Sequence, residues 1–210
     1  MARPNPILTI GHSNHTLAKF LALLQGVEVR AVADVRSAPV SRFSPHFNKV
    51  ALSASLAEQG ISYVFLGKEL GGRPDLPELF SGGVADYEKM AAVPAFKGGI
   101  ARLITGAESH RIAIMCAEAD PLDCHRGLLV ARALTEAGIE VGHILSSGQV
   151  LTHAEIEDRL LDLAGLTNEN LLAASRGEHL AEAYRARGRK VAYAARKAPV
   201  SARGGRARRD

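Results

Sequence analysis

The chain has 210 residues, 47% of them hydrophobic, enough to bury a substantial core in one domain plus appendages. No apolar run approaches the ~20 residues that span a bilayer, and the start MARPNPILTIGHS has too short an apolar run for a secretory signal, so a soluble, cytoplasmic protein with no membrane partner is expected. The net charge of +4 is unevenly placed: residues 176–210 hold 11 Lys+Arg against 3 Asp+Glu, and residues 1–175 hold 15 against 19.

In chain order, the apolar run Pro6–Ile10 reads as a buried first strand leading into the polar turn His12-Ser13-Asn14. Thr16 is placed to cap a helix whose apolar positions are Leu17, Phe20, Leu21 and Leu24, with Gly26 as its stop. Val29–Val35 is a second strand, with Asp34 and Arg36 at its carboxyl end, and the Pro- and Ser-rich stretch 37–48 reads as a loop. A helix over Lys49–Gln59, a third strand over Ile61–Leu66 and a long Gly/Pro-rich loop over 67–83 follow. Tyr87–Thr105 has helical spacing interrupted by Pro94, and Ile112–Cys116 is a fourth strand. Asp120 as N-cap and Pro121 as first residue predict a helix directly afterwards, ending at Gly138. Glu140–Leu145 is a fifth strand, and Thr152–Ala164 a further amphipathic helix.

This alternation predicts a three-layer, doubly wound α/β fold with a mostly parallel sheet of about five strands. The expected division is an α/β domain over 1–165 and a basic, flexible extension over 166–210, at best marginally helical before disorder. Such an extension can attract nucleic acid electrostatically or serve as a solubilising end.

In a parallel sheet the turns after the strands meet at one edge, where open α/β folds bind ligands. The richest of these turns is Cys116–Arg126, which holds both cysteines, Glu118, His125 and Arg126. Three chemistries fit the residue types. In the first, Cys124 or Cys116 is a nucleophile, with His125 as base and Arg36 or Arg126 holding an anion. A phosphatase-like Cys-to-Arg spacing is absent, because Arg126 lies ten residues after Cys116 and two after Cys124. In the second, Cys116, Cys124 and His125, with His12 or Glu118 as a further candidate ligand, bind a metal of zinc type; the spacing matches no closed structural site, no CxxC pair is present, and on one helix the adjacent Cys124 and His125 would point apart. In the third, Asp34 and Glu118 divide acid and base roles in an anion pocket, the competing role being an internal ion-pair network.

The resulting candidates for chemistry are Asp34, Cys116, Glu118, Cys124 and His125. Those for substrate binding are His12, Ser13, Asn14, Arg36, Arg42, Arg73 and Arg126, with no metal or other cofactor assigned. Phe43, Phe47 and Tyr63 are candidates for stacking on a base, against a core role. The expected activity is that of an enzyme acting on a phosphate-bearing small molecule or nucleic acid. The alternative is a non-catalytic nucleic-acid-binding module that uses the basic end.

Four segments carry a resemblance: Thr9-Ile-Gly-His-Ser-Asn14, Ala33-Asp-Val-Arg-Ser-Ala-Pro-Val-Ser-Arg-Phe43, Tyr63 with Leu70-Gly-Gly72, and Met115-Cys-Ala-Glu-Ala-Asp-Pro-Leu-Asp-Cys-His-Arg126. Over about residues 7–146 they resemble the bacterial and archaeal family called domain of unknown function 488. The resemblance implies that His12, Ser13, Asn14, Asp34, Arg36, Arg42, Cys116, Glu118, Cys124, His125 and Arg126 are the positions by which its members are recognised. It implies no reaction, and it does not extend to the basic stretch after residue 175.

Overall fold

Alternate residues of the central strands face opposite layers, and this alternation builds the molecule. A computed structural model describes residues 4–166 and 175–195. Strands β1 (Ile7–Gly11), β2 (Ala31–Asp34), β3 (Ser62–Phe65), β6 (Ile112–Cys116), β7 (Val141–Ile144) and β8 (Val150–Thr152) form one sheet in the order β3-β2-β6-β1-β7-β8. The first five are parallel, and β8 closes the edge antiparallel to β7. The sheet therefore has six strands instead of about five; β8 is too short, and too exposed at Val150, to stand out in the sequence. A separate hairpin pairs β4 (Phe80–Ser81) with β5 (Val84–Ala85) across the end of the expected loop.

One face of the sheet, with Leu8, Ile10, Val32, Ala113 and Met115, packs on α1 (Leu17–Gly26) and α2 (Lys49–Glu58). The other, with Ile7, Ala31, Ala33, Ile112 and Ile114, packs under α4 (Tyr87–Ala92) and α5 (Pro94–Ala107). Pro94 splits the helix expected over 87–105 and becomes the first residue of α5, where its missing N–H leaves no bond unmade. A one-turn helix, α3 (Gly67–Leu70), follows β3. Thr16 caps α1 through the Lys19 amide, and Thr152 and Glu155 form a reciprocal capping box on α7 (His153–Ala164).

Two expectations change. The single helix expected after Asp120 is three pieces: a 3-10 turn over Pro121–Asp123, a π-helical segment over Arg126–Ala131, and α6 (Arg132–Glu136). Between the first two, Cys124 is extended at φ −140° and ψ 141°. Residues 176–191 form a 16-residue helix, α8, in place of a marginal one, with its own capping box at Ser175 and Glu178. Its side chains Ala183 and Tyr184 are buried against Ile156, Leu160 and Leu161 of α7 and Leu122 and Leu128. The sparse apolar residues of this segment fall on one face, and α7 supplies the surface that buries them. Disorder was expected further on; residues 196–210 lie outside the described residues.

Candidate functional site

The carboxyl ends of β1, β2 and β6 deliver their turns to one cleft of about 340 Å³, lined among others by His12, Arg36, Arg73, Glu118, Cys124 and His125. The backbone brings the turns into contact. The amides of His12 and Ser13 donate to the carbonyls of Cys116 and Ala117 at 2.9 and 2.8 Å, so the end of β1 runs beside the turn leaving β6. Gly11 permits this approach, because a Cβ there would overlap the Glu118 carbonyl.

At the cleft floor, Cys116, Cys124 and His125 are all buried, and their ligating atoms lie within 4.8 Å of one another. His125 Nδ1 stands 3.7 Å from the Cys116 sulfur and 3.8 Å from the Cys124 sulfur. Its Nε2 bonds the Val35 carbonyl at 3.0 Å, which leaves Nδ1 facing the sulfurs. The ring rests on Gly72, where a Cβ would come within 2.7 Å of the imidazole Cγ. Cys124 and His125 converge because the chain breaks between the 3-10 turn and the π segment, and a continuous helix would have sent them apart. π segments of this kind recur at functional sites.

The electrostatics of the floor are coupled. A hydrogen bond with Cys124, then burial, pushes the Cys116 thiol well up. Burial alone would raise Cys124, but the Cys116 hydrogen bond and the charges of Arg126 and His125 outweigh it and hold Cys124 well down. Burial opposes a charge on His125, yet the neighbouring Cys124 raises it. Glu118 is raised by burial and then by Cys124. His12, desolvated by burial, falls to about 4. Its Nδ1 bonds the Ser13 carbonyl at 2.9 Å, and its Nε2 meets Arg36 at 3.2 Å.

The other candidate residues divide between scaffold and surface. Asp34 is fully buried and does not line the cleft. Its carboxylate accepts from Arg36 at 2.9 and 2.6 Å and from the Tyr63 hydroxyl at 2.7 Å, so Tyr63 serves this network instead of stacking on a base. Arg36 also donates to the Phe47 carbonyl at 2.8 Å. Asp34 outweighs the effect of burial on Arg36 and keeps it charged. Arg126 is buried behind the turn, where it donates to the Glu118 and Ala119 carbonyls at 2.6 and 2.8 Å. It fixes the turn that carries Glu118 and does not line the cleft. Ser13, Asn14 and Arg42 are likewise outside the lining; Arg42 is exposed. Phe47 is core, and Phe43 is 92% exposed.

Among the lining residues that sequence reasoning did not assign to the site are Ser37, Tyr87, Val191 and Tyr193. The last two come from the supposed appendage. Tyr193 lies under the Arg73 guanidinium at 5.2 Å. Its carbonyl accepts from the Ala85 amide at 2.8 Å, and Ala194 bridges to Val84, so this segment extends the β4–β5 hairpin. Arg187 of α8 pairs with Asp123 and bonds the Leu122 carbonyl in the turn before Cys124. No local pattern joins residue 193 to residue 73; the contact exists only in the folded chain.

The family profile described as "Domain of unknown function DUF488" matches residues 16–133, more than half of the chain. The match includes Asp34, Arg36, Cys116, Glu118, Cys124, His125 and Arg126 and begins just after the Thr9–Asn14 motif. Comparison with curated proteins and with solved structures found no match. The chain belongs to the DUF488 family.

Proposed function

We propose that this member of the DUF488 family is an enzyme that acts on a small phosphate-bearing substrate, of nucleotide size, at the carboxyl edge of its sheet. The observation that carries this reading is the convergence, in one cleft, of the Arg73 guanidinium with a floor made by Cys116, Cys124, His125 and Glu118. Arg73 has no ion-pair partner among the described residues and is backed by the Tyr193 ring, which suits it to hold an incoming anion. Arg36 contributes charge, but its donors already serve Asp34, Phe47 and His12, so it acts by keeping the wall in place. Glu118 has no ion pair among the described residues and is the group assigned to proton transfer. The cleft volume of about 340 Å³ is at the lower end of sites that enclose a small ligand, and this favours a mononucleotide-sized substrate over a duplex.

The alternative of a nucleic-acid binder using a basic arm finds less support in α8. Arg176, Arg185 and Arg187 there pair with Asp158, Glu88 and Asp123. Deleting 176–210 would also strip Val191 and Tyr193 from the cleft and uncover the α7 core, so point substitutions must separate the readings. The test is a panel of phosphate esters and nucleotides assayed with wild type, Glu118→Gln, Arg73→Ala and the surface pair Arg189→Ala/Lys190→Ala. The reading expects a kcat loss for Glu118→Gln, a KM rise for Arg73→Ala and little change for the surface pair. Salt-sensitive nucleic-acid binding without turnover, lost in the surface pair, would overturn it.

A further inference from the structure

We infer that Cys116, Cys124 and His125 form a mononuclear zinc site whose open position faces the cleft. The separations between the groups fit a tetrahedral ion. A zinc with Zn–S about 2.3 Å and Zn–N about 2.1 Å holds nitrogen and sulfur ligands about 3.6 Å apart. The two observed nitrogen–sulfur separations are 3.7 and 3.8 Å. All three ligating atoms lie within 4.8 Å of one another, so one ion can touch them together after small side-chain adjustments.

The surroundings supply a second, independent argument. A metal-binding imidazole commonly donates its other N–H to a carbonyl or carboxylate, which fixes the tautomer and aims the free nitrogen at the ion. His125 does this through Nε2 and the Val35 carbonyl at 3.0 Å. Its ring is held from behind by Gly72, and the Arg126 amide donates to the Cys124 sulfur at 3.4 Å. His125 and Cys124 are thus oriented by backbone or packing contacts that exist without the ion. Two thiolates and one imidazole select a borderline-soft ion, zinc above magnesium or calcium.

Three protein ligands and a lined cleft are the pattern of a catalytic site, which keeps one position for water or substrate, and not of a closed structural one. Glu118 lines the same cleft two residues after the ligand Cys116, where a proton-transfer group beside a metal-bound water belongs. The assigned site deepens the proposed function and rests on it only for the use of the open position; metal binding stands on the cluster alone.

The test uses full-length protein titrated with Zn(II), and with Co(II) as a spectroscopic stand-in. One ion per chain is expected, with thiolate-to-cobalt charge-transfer absorption and protection of both thiols from alkylation by bound zinc. Cys116→Ser and His125→Asn should each weaken zinc binding by at least about 100-fold, while Tyr184→Phe, in a separate buried network, should bind as wild type. Should the ligand variants fail to fold, the wild-type cobalt spectrum and alkylation protection decide. Absent charge-transfer bands, with equal alkylation rates with and without zinc, would overturn the site, as would conversion of the two thiols to a disulfide under conditions where zinc stays free. Metal binding without turnover of any phosphate ester would break the proposed function and leave the site standing. Turnover by metal-free protein would uphold the proposed function and overturn the catalytic use of the open position.

Discussion

His125 and His143 are both buried against the same sheet, and their second ring nitrogens meet very different surroundings. His143, on β7, bonds Thr9 at 2.9 Å through Nδ1 and His153 at 2.9 Å through Nε2. His153 passes the chain on to the Tyr184 hydroxyl at 2.9 Å, which donates to Glu157 at 3.1 Å. Every ring nitrogen there is bonded within the protein, and the chain ties β1, β7, α7 and α8 into one body. His125 has one nitrogen fixed by Val35 and the other aimed at two sulfurs beside an open cleft. A fully bonded polar network keeps a structure in register, whereas a nitrogen held without a close partner at a cleft is available for chemistry. His153 is the link through which the network reaches α8.

The contrast breaks most sharply where a charge is buried. Asp34→Ala removes the partner of the buried Arg36 guanidinium and should lower unfolding free energy by about 3–5 kcal/mol, read from the urea midpoint at neutral pH. A shift below about 1 kcal/mol would mean that water reaches Arg36 and that the pair is not structural.

Next in size is the acid response of the His153 network. Burial lowers the folded-state value of His153 to about 4, while the unfolded chain titrates near 6.5. The unfolded state therefore takes up the proton first: the contribution is complete above pH 6.5, is lost as pH falls from 6.5 to about 4, and changes no further below that. For His153 alone the loss is about 3 kcal/mol. His143 and His12, also lowered by burial, act in the same direction. Urea titrations from pH 7 to pH 4 should show the decline, and His153→Gln should flatten part of it. An unchanged slope in that variant would locate the acid sensitivity elsewhere.

Cleft substitutions should behave in the opposite sense. Glu118→Gln should keep stability within about 1 kcal/mol of wild type and lower turnover by about 100-fold or more, the usual contribution of general acid–base catalysis. A variant that unfolded would instead place Glu118 among the scaffold residues. The smallest effect on stability belongs to the exposed Arg73: Arg73→Ala should move the midpoint by less than about 0.5 kcal/mol while weakening phosphate-ester binding about tenfold. Calorimetric titration of a tight-binding ester measures the second quantity.

The succession of the main strands along the chain, the cap at Thr16, the helix start at Thr152 and the break at Pro94 were legible because each follows from local periodicity and backbone chemistry. So was the crowding of Cys116, Glu118, Cys124 and His125 at one strand end, since topology alone sends the turns of parallel strands to a common edge. Family membership was legible too, from short motifs that coincide with that edge. Local pattern could not say which charged groups face the cleft. Asp34 and Arg126 have the same residue types as catalytic and anion-binding groups, and only the folded geometry, which turns Asp34 to Arg36 and Tyr63 and Arg126 to the Glu118 and Ala119 carbonyls, sets them in the scaffold. Nor could it show that Cys124 and His125 aim at one point, because that depends on the break between the 3-10 and π pieces, which the helix signals at Asp120 and Pro121 do not announce. The segment 176–195 looked like a polar appendage because its apolar residues are few; tertiary structure gave them a partner in α7 and brought Tyr193 back beside Arg73. Local interactions along the chain determined the elements and the edge at which the site lies, and contacts between residues far apart in sequence decided which side chains remained free to act there.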